Sequence, residues 1–185
     1  MAETPSNMIP LGTKAPDFRL KDAISGETLS LQELKSDIAT VIMFICNHCP
    51  FVKYIQDELV RLTDEYIAKG VSFIAINSND VENYPEDSPE KMKEVAEWKG
   101  YSFPYLFDET QDVARAYEAA CTPDFYIFDG DLKLVYRGQF DDSRPNNQEP
   151  ITGKDLREAL DNILAGIPVS FDQRPSIGCN IKWKE

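Results

Sequence analysis

The chain has 185 residues, of which 42% are hydrophobic and 28% are charged, and its formal net charge at pH 7 is −13. This length suits one soluble domain that buries a sizeable core without structural disulfides or metals. The negative charge argues against nucleic acid or an anionic membrane as a partner, because both would repel the chain.

The N-terminal quarter of the chain predicts a lead-in, a hairpin and a short helix. Residues 1–10 form a loose, proline-containing lead-in. Two short alternating runs on either side of a Ser-Gly turn at 25–26 predict a β-hairpin at the edge of a sheet. Ser30 and Glu33 have the spacing of a capping box, which predicts a short helix at 31–35.

A strand–helix–strand unit follows. The continuous apolar run at 39–45 predicts a strand buried on both faces, and the apolar spacing over 52–67 predicts an amphipathic helix that stops at Gly70. The run at 71–77 predicts a second buried strand. Such a unit is expected to be right-handed, with its two strands parallel.

The second half of the chain predicts a helix, a strand, a helix, a hairpin, a final helix and a tail without a clear period, at 89–99, 103–108, 110–120, 124–138, 153–166 and 167–185. An acidic loop, SNDVENYPEDSPE, precedes the first of these helices. Arg137 and the loop at 141–144 are interpreted as solvated surface. The predicted fold class is α/β: a single domain over 1–185 with a central mixed β-sheet flanked by helices.

The sequence FICNHCPF contains two cysteines, Cys46 and Cys49, between the first buried strand and its helix. Sites in α/β folds form at this carboxyl edge of the sheet. The N-terminus of the helix favours a thiolate, so we expect Cys46 to have a lowered pKa and to be the attacking nucleophile. Cys49 is expected to be more buried and to close a disulfide with Cys46. Two inert cysteines are the alternative.

Asn47 and His48 lie between the two cysteines, and His48 is the only histidine of the chain. We expect the pair to tune the dithiol, with His48 stabilising the thiolate of Cys46 and so favouring the reduced form. The alternative is a solvent-exposed His48 without a tuning role.

The cellular compartment bears on the reading of the cysteines. No run of the sequence approaches the ~20 apolar residues that span a bilayer. Residues 1–12 also lack the basic and apolar regions of an export signal, so we expect a cytoplasmic protein. Disulfides of cytosolic proteins are usually transient or catalytic.

The segment LGTKAPDFRL at 11–20, the short hairpin after it, and the order strand, Cys-x-x-Cys-Pro and helix resemble the thioredoxin-like superfamily. Within it, the chain is similar to the branch of alkyl hydroperoxide reductase C and thiol-specific antioxidant proteins, together with TlpA-like thiol–disulfide oxidoreductases. The resemblance covers about residues 9–166. It implies a thioredoxin-like fold with an N-terminal β-hairpin extension.

The resemblance also assigns a role to Thr122 and Pro123. Thioredoxin-like proteins carry a cis-proline opposite the dithiol, and this pair, just before the second hairpin, occupies that place. Its implied role is to hold the backbone at Thr122 extended, so that a substrate strand can pair beside Cys46. An ordinary trans proline is the alternative.

Two departures from the superfamily qualify its activity. The peroxiredoxin signature includes a threonine or serine and a distant arginine. Neither occurs at the matching positions of this chain, so peroxidase activity is a weaker hypothesis than disulfide exchange. The strand before the dithiol also lacks the buried acid of thioredoxin, so the proton acceptor for Cys49 is left unassigned.

Two further cysteines, Cys121 and Cys179, are candidate accessory thiols. Cys121 precedes Thr122 and could act as a third redox thiol or a metal ligand, although a small core side chain is the simpler interpretation. Cys179 lies in the tail and is interpreted as an inert thiol, with a resolving cysteine as the alternative.

Three functions follow from these residues. The leading hypothesis is a thiol–disulfide oxidoreductase that exchanges electrons with protein or small-molecule disulfides and a thiol reductant. The others are a thiol peroxidase using Cys46, and a metal-binding protein in which Cys46, Cys49 and Cys121, with or without His48, hold a soft metal. We expect no cofactor, since the chain has no glycine-rich phosphate loop. A monomer and a homodimer both remain open.

Overall fold

The computed structural model describes residues 3–185. Its strands, in chain order, are β1 (Glu3–Pro5), β2 (Arg19–Asp22), β3 (Thr28–Ser30), β4 (Ala39–Phe44), β5 (Ser72–Asn77), β6 (Tyr105–Phe107), β7 (Cys121–Thr122), β8 (Asp124–Asp129), β9 (Leu134–Gly138) and β10 (Ile177–Asn180). Its helices are α1 (Leu31–Leu34), α2 (Pro50–Ile67), α3 (Pro89–Lys99), α4 (Asp112–Ala116) and α5 (Lys154–Leu164), with one turn of 3-10 helix at Pro85–Asp87. Within residues 3–185, none of the helices has the length and apolar character that crossing a membrane requires.

A seven-stranded sheet with the order β3-β2-β6-β5-β4-β8-β9 forms the centre of the molecule. The β4–β5 and β5–β6 pairs are parallel, whereas the remaining neighbours are antiparallel. The predicted mixed sheet, the parallel strand–helix–strand unit and the N-terminal hairpin at the sheet edge are therefore confirmed. All six residues of β4 are buried, as a strand covered on both faces requires.

Helices cover both faces of the sheet. Because side chains alternate along a strand, Val41 and Met43 face one hydrophobic core while Ile42 and Phe44 face another. Buried side chains of α2, α3 and α5 complete the first core, and those of α1 and α4 complete the second. The dithiol lies on the α2 side of the sheet, since Cys46 and Cys49 belong to the first core.

The lead-in and the tail are more ordered than the sequence predicts. Strands β1, β10 and β7 form a second, antiparallel sheet of three strands, in which Glu3 pairs with Cys179. The prediction of a loose lead-in thus fails at Glu3–Pro5, and the tail contains a strand at Ile177–Asn180, while residues 1 and 2 lie outside the described residues. Strands of two to four residues carry no readable period, and their partners are far apart in sequence.

The loop at 141–144 is partly buried, against the expectation of a solvated surface. Asp141 is 1% exposed and accepts hydrogen bonds from the backbone N–H groups of Ser143 at 2.9 Å and of Thr152 and Gly153 at 2.8 Å each. This carboxylate ties the loop to the residues that precede α5. Arg137 also turns inward, and its Nε donates to the backbone oxygen of Ile9.

Replacing Asp141 with alanine should lower the free energy of unfolding by about 2–3 kcal/mol, because three backbone N–H groups lose their acceptor. Urea denaturation followed by circular dichroism measures this change. The exposed Asp172→Ala variant serves as the control. Equal unfolding free energies for the two variants would contradict the assigned role of Asp141.

Candidate active site

The dithiol loop, residues 46–49, joins the end of β4 to the start of α2. The backbone N–H of Ile45 still donates to the oxygen of Ile76, so the ladder with β5 carries the chain to the carboxyl edge of the sheet before Cys46. Cys49 is the N-cap residue of α2, and its carbonyl accepts from the backbone N–H of Lys53 at 3.0 Å. Pro50 takes the first helical position, where a missing N–H removes no helical hydrogen bond.

The Thr122–Pro123 segment lies against both sulfur atoms of the loop. The peptide bond between these two residues is cis, as the resemblance implies. The Oγ1 of Thr122 lies 3.5 Å from the Sγ of Cys46, and its backbone oxygen lies 3.4 Å from the Sγ of Cys49. The structure therefore brings together Cys46, Cys49, Thr122 and Pro123, four predicted site residues that are distant in sequence.

Cys49 forms a disulfide with Cys179, and Cys46 is a free, buried thiol. The expected disulfide between Cys46 and Cys49 is thus absent from this form. The interpretation of Cys179 as an inert thiol is wrong here. The cause is the register of the second sheet, in which Cys179 pairs directly with Thr122 and so lies beside Cys49.

Cys121 has different surroundings. Its Sγ faces the backbone oxygens of Pro123 at 3.8 Å and Ser176 at 4.0 Å. Burial raises the pKa of this thiol far above its ordinary value, and the nearby charge of Asp124 raises the pKa further. Cys121 is therefore a protonated core side chain in this form.

The pKa of Cys46 is raised, not lowered as the sequence predicts. Burial is the main cause and the negative charge of Asp87 is the second, and together they raise the pKa to about 11. The Thr122 hydroxyl and the backbone N–H groups of Cys49 and His48 act in the opposite direction but do not prevail. Cys46 does lie at the helix N-terminus, but its side chain is only 1% exposed. Desolvation therefore raises its pKa by more than these hydrogen bonds lower it.

His48 lies mostly within the protein and contacts an acidic partner. Its side chain is 16% exposed, and its Nδ1 lies 2.5 Å from Oδ2 of Asp87. The ring stacks on Tyr84 with a centroid distance of 5.5 Å and an interplanar angle of 10°. The alternative of a solvent-exposed His48 does not hold, while its tuning role stays a prediction.

Asn47 anchors the loop in the protein. It is 6% exposed, its Nδ2 donates to the backbone oxygen of Glu86 at 2.9 Å, and its Oδ1 accepts from the hydroxyl of Tyr105 at 2.8 Å. Its backbone N–H donates to Oδ1 of Asp87 at 2.7 Å. Asn47 therefore holds the conformation of the loop from the inside.

Asp87 is the site residue that sequence reasoning misses. It is fully buried and accepts hydrogen bonds from the side chains of Asn77 and Asn79, in addition to its contacts with Asn47 and His48. Burial by itself raises the pKa of this carboxyl, but the donors around it prevail and the net pKa is lowered. The acidic loop after β5 leaves the same edge of the sheet as the dithiol loop, so it could have indicated an acidic residue at the site. The sequence does not show, however, which of its carboxylates turns inward.

The structure separates the predicted metal ligands and brings a different set of side chains close together. Cys49 is bonded to Cys179 and Cys121 faces backbone carbonyls, so the set of Cys46, Cys49 and Cys121 does not assemble in this form. Ligand atoms of Cys46, His48 and Asp87 do lie within 4.8 Å of one another. Both oxygens of the carboxylate, however, already accept from amide N–H groups, and the thiol is protonated. This arrangement fits a hydrogen-bonded loop better than a metal centre.

Two solved structures resemble this chain closely. An uncharacterized conserved protein from Geobacillus kaustophilus is 67% identical, with a TM-score of 0.98 over 100% of this chain and 97% of that one. A hypothetical protein, SMc02350, from Sinorhizobium meliloti 1021 is 49% identical, with a TM-score of 0.95 over 98% of each chain.

Other similarities bear on the fold and the family. The thioredoxin domain of thiol-disulfide oxidoreductase BVU-2223 from Bacteroides vulgatus has a TM-score of 0.61 at 16% identity, covering 80% of this chain and 96% of that one, which confirms a thioredoxin-like fold. Thiol-disulfide oxidoreductase ResA from Halalkalibacterium halodurans is 28% identical over 129 residues, or 69% of this chain and 68% of ResA. Residues 11–137 match the AhpC/TSA family, and this chain belongs to that family.

Proposed function

We propose that this protein is a thiol–disulfide oxidoreductase that exchanges electrons with protein disulfides through Cys46 and Cys49. The observation that carries the proposal is the contact of both sulfur atoms with Thr122, beside a cis peptide bond and at the start of a helix. The similarity to ResA supports the same reaction class. The Cys49–Cys179 disulfide is further support, because in it a sulfur of this site is bonded to a cysteine from another segment of the chain.

In the proposed reaction, the thiolate of Cys46 attacks one sulfur of a substrate disulfide and releases the other as a thiolate. Cys49, reduced beforehand, then attacks the mixed disulfide, so that a Cys46–Cys49 disulfide forms and the second substrate thiol leaves. Two electrons and two protons pass to the substrate. A thiol reductant restores the dithiol by the reverse exchange.

Asp87 and His48 lie close to the sulfur atom that reacts first in this step. The thiolate of Cys46 and the carboxylate of Asp87 repel each other, which is one cause of the raised pKa of Cys46. His48 is close to both groups, since ligand atoms of the three residues lie within 4.8 Å of one another. We therefore assign Asp87 and His48 as positioning residues that hold the dithiol loop and set the electrostatic surroundings of Cys46.

The peroxidase alternative receives no support from this geometry. Rapid reduction of peroxide needs an accessible thiolate, whereas Cys46 is 1% exposed and its pKa is about 11. We propose disulfide-bearing proteins and a thiol reductant as partners. We further propose a cytoplasmic location, where the Cys49–Cys179 bond would be transient.

Replacing Cys46 or Cys49 with serine should reduce the turnover of insulin disulfides to the rate of dithiothreitol alone, because each variant lacks one sulfur of the exchange. Turbidity of precipitating insulin B chain measures the rate. The matched control is Cys121→Ser, which removes a buried thiol outside the reacting pair and should keep its activity. Full activity of Cys46→Ser would refute the proposed function.

The labelling of Cys46 by iodoacetamide in the oxidised protein should rise about tenfold per pH unit and level off near pH 11, because burial disfavours the charged thiolate. In a Cys121→Ser background, Cys46 is the one free thiol of this form. Mass spectrometry after timed quenching gives the rate. In guanidinium chloride the same thiol should titrate near its ordinary value of 9.0. A plateau below pH 9 in the folded protein would contradict the raised pKa.

Asp87→Asn should shift this labelling profile to lower pH, since the variant removes a negative charge that raises the pKa of Cys46. The labelling rate at pH 8 should increase severalfold. Asp108→Asn is the matched control, because Asp108 is as buried as Asp87 and its carboxylate binds the hydroxyl of Ser78 and the N-terminus of α4 instead. Equal profiles for the two variants would remove Asp87 from the electrostatics of Cys46.

A further inference from the structure

The C-terminal strand lies where the resemblance places a substrate. In thioredoxin-like proteins a substrate strand is expected to pair with the backbone at the residue before the cis-proline. Here β10 pairs antiparallel with β7, with Cys179 opposite Thr122 and Asn180 opposite Cys121. The chain thus occupies this edge with its own tail, and the cysteine of that tail is bonded to the site.

The tail fits this edge closely. A Cβ atom added to Gly178 would lie 2.0 Å from the backbone oxygen of Thr122, so only glycine permits this approach of the two strands. Beyond β10, Ile181 is 1% exposed and its N–H donates to the oxygen of Ala120 at 3.1 Å. The backbone N–H of Lys182 donates to Oδ1 of Asn79 at 2.8 Å. Together these contacts form a specific binding site for the tail.

The docked tail closes the site to other strands. Within the described residues, β10 occupies the edge of β7 at which Cys179 pairs with Thr122, and β1 covers the other edge of β10. Cys46 is correspondingly buried. A protein disulfide can reach Cys46 only after β10 has left.

We propose that β10 is an internal substrate strand, which Cys46 releases by attacking the Sγ of Cys49 in the Cys49–Cys179 disulfide. This proposal rests on the proposed function. The sulfur of Cys46 loses its proton and bonds to Cys49, while the Cys49–Cys179 bond breaks and Cys179 leaves as a thiolate that takes up one proton. The exchange needs no oxidant or reductant, because one disulfide replaces another.

The surroundings of the two sulfur atoms favour this exchange. Both lie against Thr122, and the backbone N–H of Cys49 donates to the sulfur of Cys46, so attacker and target share one small volume. Release of Cys179 would free the Thr122 backbone for an extended peptide, and a peptide that carries a disulfide could react there once a thiol reductant has reduced the Cys46–Cys49 bond. The tail sequence Ile-Gly-Cys-Asn at 177–180 then serves as a template for such a peptide, with a small residue before its cysteine.

The first test asks which cysteine is free. The oxidised Cys121→Ser protein is incubated with N-ethylmaleimide at pH 9, and peptide mapping locates the label. The exchange predicts that, besides molecules labelled on Cys46, some molecules carry the label on Cys179 together with a Cys46–Cys49 disulfide. In the Cys46→Ser, Cys121→Ser double variant Cys179 should stay unlabelled. Label confined to Cys46 at every pH would overturn the proposal.

The second test follows the strand itself by hydrogen exchange with mass spectrometry. Cys179→Ser, oxidised so that Cys46 and Cys49 are bonded, should exchange the amides of 177–181 about tenfold faster than the oxidised wild type. Peptides from β4 and β5 should be unchanged. Gly178→Ala keeps all cysteines and should also speed exchange there, because its Cβ collides with Thr122. Unchanged protection of 177–181 in both variants would show a tail that does not open.

These outcomes separate the two proposals. If Cys46→Ser loses insulin reduction while Cys179 is never labelled in the parent protein, the oxidoreductase stands and the internal substrate fails. If Cys179 is labelled but no variant affects insulin reduction, the exchange stands and the proposed activity on proteins fails.

Discussion

The site depends on one register, the antiparallel pairing of β8 with β4. Phe44 pairs with Asp124 in this antiparallel ladder. Cys46 lies two residues after Phe44 and Thr122 two residues before Asp124, so the two side chains meet at the carboxyl edge of the sheet, 3.5 Å apart. A second register, that of β10 on β7, places Cys179 at the same threonine. A slip of one residue in either pairing would turn the side chains to the opposite face and separate the sulfur atoms. Thr122 is the residue at which three distant segments meet.

The electrostatics of Cys46 follow from the burial that this meeting produces. The N-terminus of α2, the Thr122 hydroxyl and two backbone N–H groups all favour a thiolate, but desolvation and Asp87 raise the pKa from an ordinary 9.0 to about 11. That difference corresponds to about 3 kcal/mol against the charged form. In this form the thiol of Cys46 is therefore buried and protonated. Anything that exposes Cys46 to water reduces the largest of these contributions.

Membership of the AhpC/TSA family does not by itself select a reaction. The local chemistry bears on the alternatives, because Cys46 is buried and protonated in this form and does not offer the accessible thiolate that rapid attack on peroxide needs. His48 and Asp87 are held by stacking and by amide hydrogen bonds, so their position relative to the dithiol loop is set before any substrate arrives. Positioned groups of this kind are typical of reactive thiol sites.

The sequence by itself determined the α/β class, the strand–helix–strand unit, the dithiol at its junction and the Thr122–Pro123 pair, because apolar period and local motifs carry this information over neighbouring residues. Only the tertiary structure decided the bonding of Cys49 to Cys179, the pairing of β10 with β7 and the inward turn of Asp87. Each of these depends on contacts between segments far apart in sequence, and a strand of four residues has too few positions to show a period. The raised pKa of Cys46 belongs to the same group, since burial is a property of the packed molecule, whereas the influences visible in the sequence were the helix N-terminus and His48.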